Sequence, residues 1–201
     1  MQASQPVIAI GHSLGGVLSF RAAVAEPSLF KAVILLDSPI MGRVKSRLIR
    51  ISKNIGMIDR ITPALRTRGR RFYWQSKKQA LAYLKDKDLF KNFTDQCLED
   101  YIEYGMNKNE DGYSLRFDRN IEYKIFRTIP HILYKYEGRL SVPTALIYGD
   151  KSNVIDRMDL YNMKKKYNIK DYKIHGSHMF PMEAPELTAD LIFKAVDEVI
   201  S

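Results

Sequence analysis

Apolar residues are grouped along this chain in two ways, and the two alternate. Short continuous runs occupy residues 7–10, 32–36 and 144–148, with a shorter and more polar one at 172–175. A continuous apolar run bounded by turn residues predicts a strand buried on both faces, as in a parallel sheet. Between these runs the apolar positions take helical spacing. Leu14, Val17, Leu18, Ala22 and Ala25 are expected on one face of a helix that Pro27 closes. Leu187, Leu191, Ala195 and Val199 mark one face of a final helix from about Pro185, and residues 156–166 predict a polar, basic helix. Strand, helix, strand in so short a span makes a parallel unit.

Residues 40–139 break the rhythm. They carry no parallel-strand signal but several helical ones. Phe90, Phe93, Cys97, Tyr101 and Tyr104 recur at three- and four-residue spacing, with Glu99, Asp100 and Glu103 on the other side. Residues 107–112 predict a turn, and 120–127 a short helix ahead of Pro130. The reading is an α/β fold with a parallel sheet of about four strands from residues 1–39 and 140–201, interrupted by a helical lid at 40–139.

The chain has 201 residues, enough for one domain with an insertion. A lone cysteine, Cys97, rules out an internal disulfide framework and fits the reducing cytoplasm. No apolar run approaches the ~20 residues that span a bilayer, and the first residues lack the basic start of a signal peptide. The net charge of +9 is concentrated in residues 41–80, where twelve Lys or Arg face only Asp59. Such a segment suits an anionic surface or the solvated face of a lid, and the lid is preferred. No nucleic-acid-binding motif accompanies it, which argues against that partner.

The first run ends in Gly11-His12-Ser13-Leu14-Gly15-Gly16, and a helix starts at once. Strand, sharp turn and helix are the setting that makes Gly-x-Ser-x-Gly a nucleophile elbow, with Gly11 and Gly15 where a side chain would clash. A serine hydroxyl is a poor nucleophile until a base takes its proton. His178 follows the last strand, on a loop at the carboxyl ends of the strands, where chemistry collects in open α/β sheets. His175 is a competitor, His131 lies in the lid, and His12 is expected to turn its side chain from the active face. The imidazole needs an acceptor to fix its tautomer. Asp37, which ends the second strand before Ser38-Pro39, is favoured over Asp150 or Asn153 after the third strand, and the choice stays open.

These residues resemble the α/β-hydrolase superfamily. The match is carried by residues 11–16, by Leu35-Leu36-Asp37-Ser38-Pro39, by Leu146-Ile147-Tyr148-Gly149 and by residues 176–186. The resemblance implies a serine hydrolase acting on an ester-like bond of a small molecule, with Ser13, His178 and Asp37 catalytic. The Leu14 amide would donate to the oxyanion. His12 and Trp74 would lie at the substrate pocket, with Phe72 and Tyr73 as further candidates. No cofactor is implied. The elbow of the superfamily follows the fifth of eight strands, so the resemblance makes this chain strands five to eight plus the cap, N-terminally truncated. Ser13 would then stand near an exposed sheet edge open to self-association. A non-catalytic ligand-binding module of the same fold is the rival.

Overall fold

The computed structural model describes residues 5–201, which divide into two compact units, residues 5–46 with 132–201 as the first and Arg47–His131 as the second. The first unit opens with β1 (Val7–His12), α1 (Leu14–Ala25) and β2 (Phe30–Leu36), and α2 (Arg43–Asn54) leaves it. The second unit continues with α3 (Ile58–Ile61), α4 (Ala64–Arg68), β3 (Tyr73–Trp74), α5 (Lys77–Lys85) and α6 (Asp95–Gly105). It closes with the strands β4 (Met106–Asn109) and β5 (Gly112–Leu115) and the helix α7 (Arg119–Thr128). The chain then completes the first unit with β6 (Thr144–Gly149), α8 (Arg157–Tyr167), β7 (Lys170–Ile174), the short α9 (Phe180–Glu183) and α10 (Pro185–Ile200).

In the first unit the strands form one parallel sheet in the order β1-β2-β6-β7. Register pairs Gly11 with Leu35, Leu35 with Leu146, and Tyr148 with Lys173. Side chains along β2 alternate between two apolar layers. Val33 and Leu35 join Val17, Phe20, Leu146, Met163 and Tyr167 on one side, while Ile34 and Leu36 join Ala145, Ile147, Phe180 and Ala195 on the other. Covering both faces is what requires an unbroken apolar strand. β1 differs. Among the described residues it has a bonded neighbour only in β2, and Val7 and Ile10 stay 42% and 52% exposed.

The face of α1 departs from the expected one. Val17, Phe20, Ala23 and Val24 are buried, whereas Leu18, Ala22 and Ala25 are exposed. Periodicity fixes the width of an apolar stripe but not its rotation, and here the close approach of Gly16 to Ser38 sets the rotation.

The second unit is not purely helical. The expected turn at 107–112 is the bend of a hairpin, and β3, β5 and β4 form a small antiparallel sheet. Its strands are only two to four residues long, too short for an alternation to betray them. Ser76, Thr94 and Asp118 cap α5, α6 and α7 by accepting backbone N–H bonds. Phe90 and Phe93 precede α6 rather than belonging to it, although the Phe90 ring packs 5.0 Å from that of Tyr101. Trp74 is fully buried among Ala80, Leu84, Phe90, Leu98, Ile102 and Met106. Its surface is consumed by the core of this unit, which corrects its assignment to a substrate pocket. Part of the basic excess is neutralised locally, by Arg70 on Glu122 and Lys77 on Glu103. Among the described residues no helix is long and apolar enough to cross a membrane.

Candidate active site

Ser13 joins β1 to α1 with φ 53° and ψ −120°, a region that L-residues enter only under constraint. The constraint is local. The Ser13 N–H donates to the Leu36 carbonyl at 2.8 Å, and the buried Ser38 hydroxyl donates to the carbonyls of Leu36 and Gly11 at 3.0 and 3.3 Å. The turn is so close that a Cβ on Gly11 would lie 2.5 Å from the Gly15 backbone, and one on Gly16 would lie 2.1 Å from Ser38 Oγ. Gly15 itself faces open space. Gly11 and Gly16, not Gly11 and Gly15, are therefore the positions that exclude a side chain.

Asp37 follows β2 with φ 46°, a conformation that Asp tolerates better than most residues. Its N–H donates to the Ile147 carbonyl at 2.8 Å, extending the sheet pairing past the strand end. The carboxylate is fully buried and fully engaged. Oδ1 accepts from the Gly149 N–H at 3.2 Å, and Oδ2 accepts from the Ser152 hydroxyl and lies 2.7 Å from His178 Nδ1. A buried carboxylate is tolerable only with such a set of donors.

His178 stands on the loop between β7 and α9. Its Nε2 is 3.1 Å from Ser13 Oγ, so Ser13, His178 and Asp37 form one continuous hydrogen-bonded chain. Glu183, at the end of α9, braces this loop. Its carboxylate accepts the Ser177 N–H at 2.9 Å and the Ser177 hydroxyl, while Ser177 Oγ accepts the Met179 N–H at 3.0 Å. Ser152, Ser177 and Glu183 escaped the sequence reading. Their only signal is the closeness of a serine to Gly149 and the Ser-His-x-x-Pro-x-Glu spacing, neither of which announces a partner.

The remaining candidates are placed elsewhere. Asp150 accepts from the Gly176 N–H and lies 3.0 Å from His175 Nδ1, and those contacts hold its carboxyl below the usual range. Asn153 is exposed. The Leu14 N–H lies in the first turn of α1, where a helix leaves its amides without an intrahelical acceptor.

His12 does not turn away. Its Nε2–H donates to the His178 carbonyl oxygen at 2.8 Å, and the two rings lie 4.7 Å apart. The carboxyl ends of β1 and β7 meet the same edge of the sheet, so a ring there finds an acceptor on the neighbouring loop. Burial pushes the His12 pKa below the ordinary imidazole value.

The family model for the Alpha/beta hydrolase family matches residues 2–191. Peroxisomal membrane protein LPX1 of Saccharomyces cerevisiae is 23% identical over 211 residues, covering 96% of this chain and 53% of that protein. Uncharacterized hydrolase YugF of Bacillus subtilis is 26% identical over 204 residues, covering 96% and 65%. Among solved structures, E-2-(acetamidomethylene)succinate hydrolase superposes with a TM-score of 0.73 at 18% identity, over 96% of this chain and 68% of that one. The chain thus spans between about half and two thirds of the length of these curated relatives.

Proposed function

Because the chain belongs to the alpha/beta hydrolase family, we propose that it is a serine hydrolase cleaving an ester-like bond of a small molecule. The observation that carries this reading is the chain of contacts from Ser13 Oγ to His178 Nε2 at 3.1 Å and from His178 Nδ1 to Asp37 at 2.7 Å. In the proposed reaction Ser13 Oγ forms a bond to the substrate carbonyl carbon while its proton passes to His178 Nε2. The carbonyl π pair moves to oxygen, and the Leu14 N–H donates to the oxyanion. Asp37 holds the imidazole by Nδ1–H and stabilises the imidazolium. Collapse expels the leaving oxygen, which takes the proton from Nε2. Water then repeats the sequence on the acyl-serine and frees the acid.

We further assign β1, β2, β6 and β7 to strands five to eight of the family sheet, and residues 40–139 to the cap that sets substrate range. The uncovered apolar side chains of β1 favour self-association there, and the single cysteine favours a cytoplasmic setting.

Hydrolysis of p-nitrophenyl butyrate by the wild-type chain, Ser13→Ala and His178→Ala tests the reading. Turnover above the buffer rate in the wild type, lost in both variants, supports it. Turnover that survives Ser13→Ala contradicts it, and its absence from a folded wild type favours a binding module.

A further inference from the structure

We propose that His12 is a positioning residue: through its Nε2–H it ties the strand of the nucleophile to the backbone of the base. The inference rests on the hydrolase reading of Ser13 and His178. His12 ends β1, one peptide from Ser13, and its Nε2 lies 2.8 Å from the His178 carbonyl oxygen. A carbonyl only accepts, so the hydrogen must sit on Nε2 of His12.

His178 is thereby gripped at separate points. Asp37 holds Nδ1 of the ring, Ser13 meets Nε2, and His12 holds the main chain of the same residue. Glu183 acts one residue earlier, on Ser177. Asp37 and Glu183 fix the ring's tilt and the loop's base. His12 sets the height of the His178 backbone above the end of β1, which is where Ser13 sits. The 3.1 Å approach of Nε2 to Oγ depends on that height, and a misplacement of about 1 Å can cost about 10²-fold in rate.

The tautomer matters as well as the tether. The His12 and His178 ring centroids are 4.7 Å apart with planes inclined by 32°. A charged His12 would oppose the imidazolium that His178 must become, although the Asp37 carboxylate would offset part of that repulsion. The groups that act on His12 are His178 and Asp37, and burial is the largest influence on its titration, favouring the neutral ring.

The experiment compares the rate at which a fluorophosphonate labels Ser13 in the wild type, His12→Phe and His12→Gln. Phe keeps a stacked ring without the donor, and Gln returns an N–H at similar reach. The expected result is labelling at least about 10-fold slower in His12→Phe, carried by the maximal rate rather than by half-saturation, and recovery to within about threefold in His12→Gln. Labelling of His12→Phe at the wild-type rate overturns the inference. Imidazole ¹H–¹⁵N spectra of the wild type decide the tether independently of activity. A His12 proton on Nε2, sheltered from exchange, supports it, and a proton on Nδ1 overturns it. A wild type that is never labelled sinks the hydrolase reading, and the spectra then judge the tether alone.

Discussion

Asp37 and His178 are 141 positions apart in sequence, yet Asp37 Oδ2 lies 2.7 Å from His178 Nδ1, on a carboxylate with no exposed surface. The contact spans two strands, because Asp37 ends β2 while His178 follows β7. What brings them together is the left-handed backbone at Asp37, which turns its side chain across the end of β6 to the Gly149 N–H.

Replacing Asp37 by Asn preserves the shape and an acceptor for the Gly149 N–H but removes the charge and the second acceptor oxygen. In the proposed mechanism the imidazole then loses its tautomer control and its counter-charge. Fluorophosphonate labelling of Ser13 is expected to slow by about 10³–10⁴-fold with the fold retained by circular dichroism. A loss below about tenfold would remove Asp37 from the mechanism.

Glu183 accepts two bonds from Ser177, and both vanish in Glu183→Ala. Hydrogen bonds to a charged group contribute about 1.5–3 kcal/mol each at most, and solvent reaches part of this site. Urea unfolding should show a loss of about 1–3 kcal/mol, with slower labelling because the loop of His178 loosens. Unchanged stability would mean that the brace is redundant.

Adjacent glycines should respond in opposite directions. Gly16→Ala drives a methyl to within 2.1 Å of Ser38 Oγ and should cost about 1–3 kcal/mol. Gly15→Ala meets nothing within 4 Å on the first turn of α1 and should be neutral or stabilise by up to about 1 kcal/mol. Thermal melting of the two variants separates these outcomes, and equal destabilisation would contradict the elbow geometry.

The legible parts of this molecule were those in which sequence neighbours act together. The run 7–10 leading into Gly11-His12-Ser13 specified strand, turn and helix, and the continuous runs at 32–36 and 144–148 specified buried strands. Rotation about an element was not legible. The exposed side of α1 and the direction of His12 depend on Ser38 and His178, which are distant in sequence. The β4–β5 hairpin was hidden because its strands are too short to show a period. Trp74 had an aromatic's usual ambiguity between pocket and core, and packing resolved it in favour of the core.

A pH dependence of stability follows from His12. Its folded pKa lies below the ordinary imidazole value of 6.5, chiefly through burial, which outweighs the opposing pull of the hydrogen bond to the His178 carbonyl. Below 6.5 the unfolded chain therefore binds more protons at this residue than the folded one. Its contribution to stability is full above 6.5 and declines as pH falls through that value towards the folded pKa. Urea midpoints between pH 7.5 and 5 should fall more steeply for the wild type than for His12→Gln. Parallel curves would show that His12 is not held neutral by the fold.

The central claim is that Ser13 is activated by His178. Its most direct test is the intact mass and peptide map of the chain after exposure to a fluorophosphonate, beside His178→Asn. The account predicts a single adduct on the peptide carrying Ser13 in the wild type, and labelling at least about 10²-fold slower in the variant. An adduct on another residue, or equal labelling of both proteins, would contradict it.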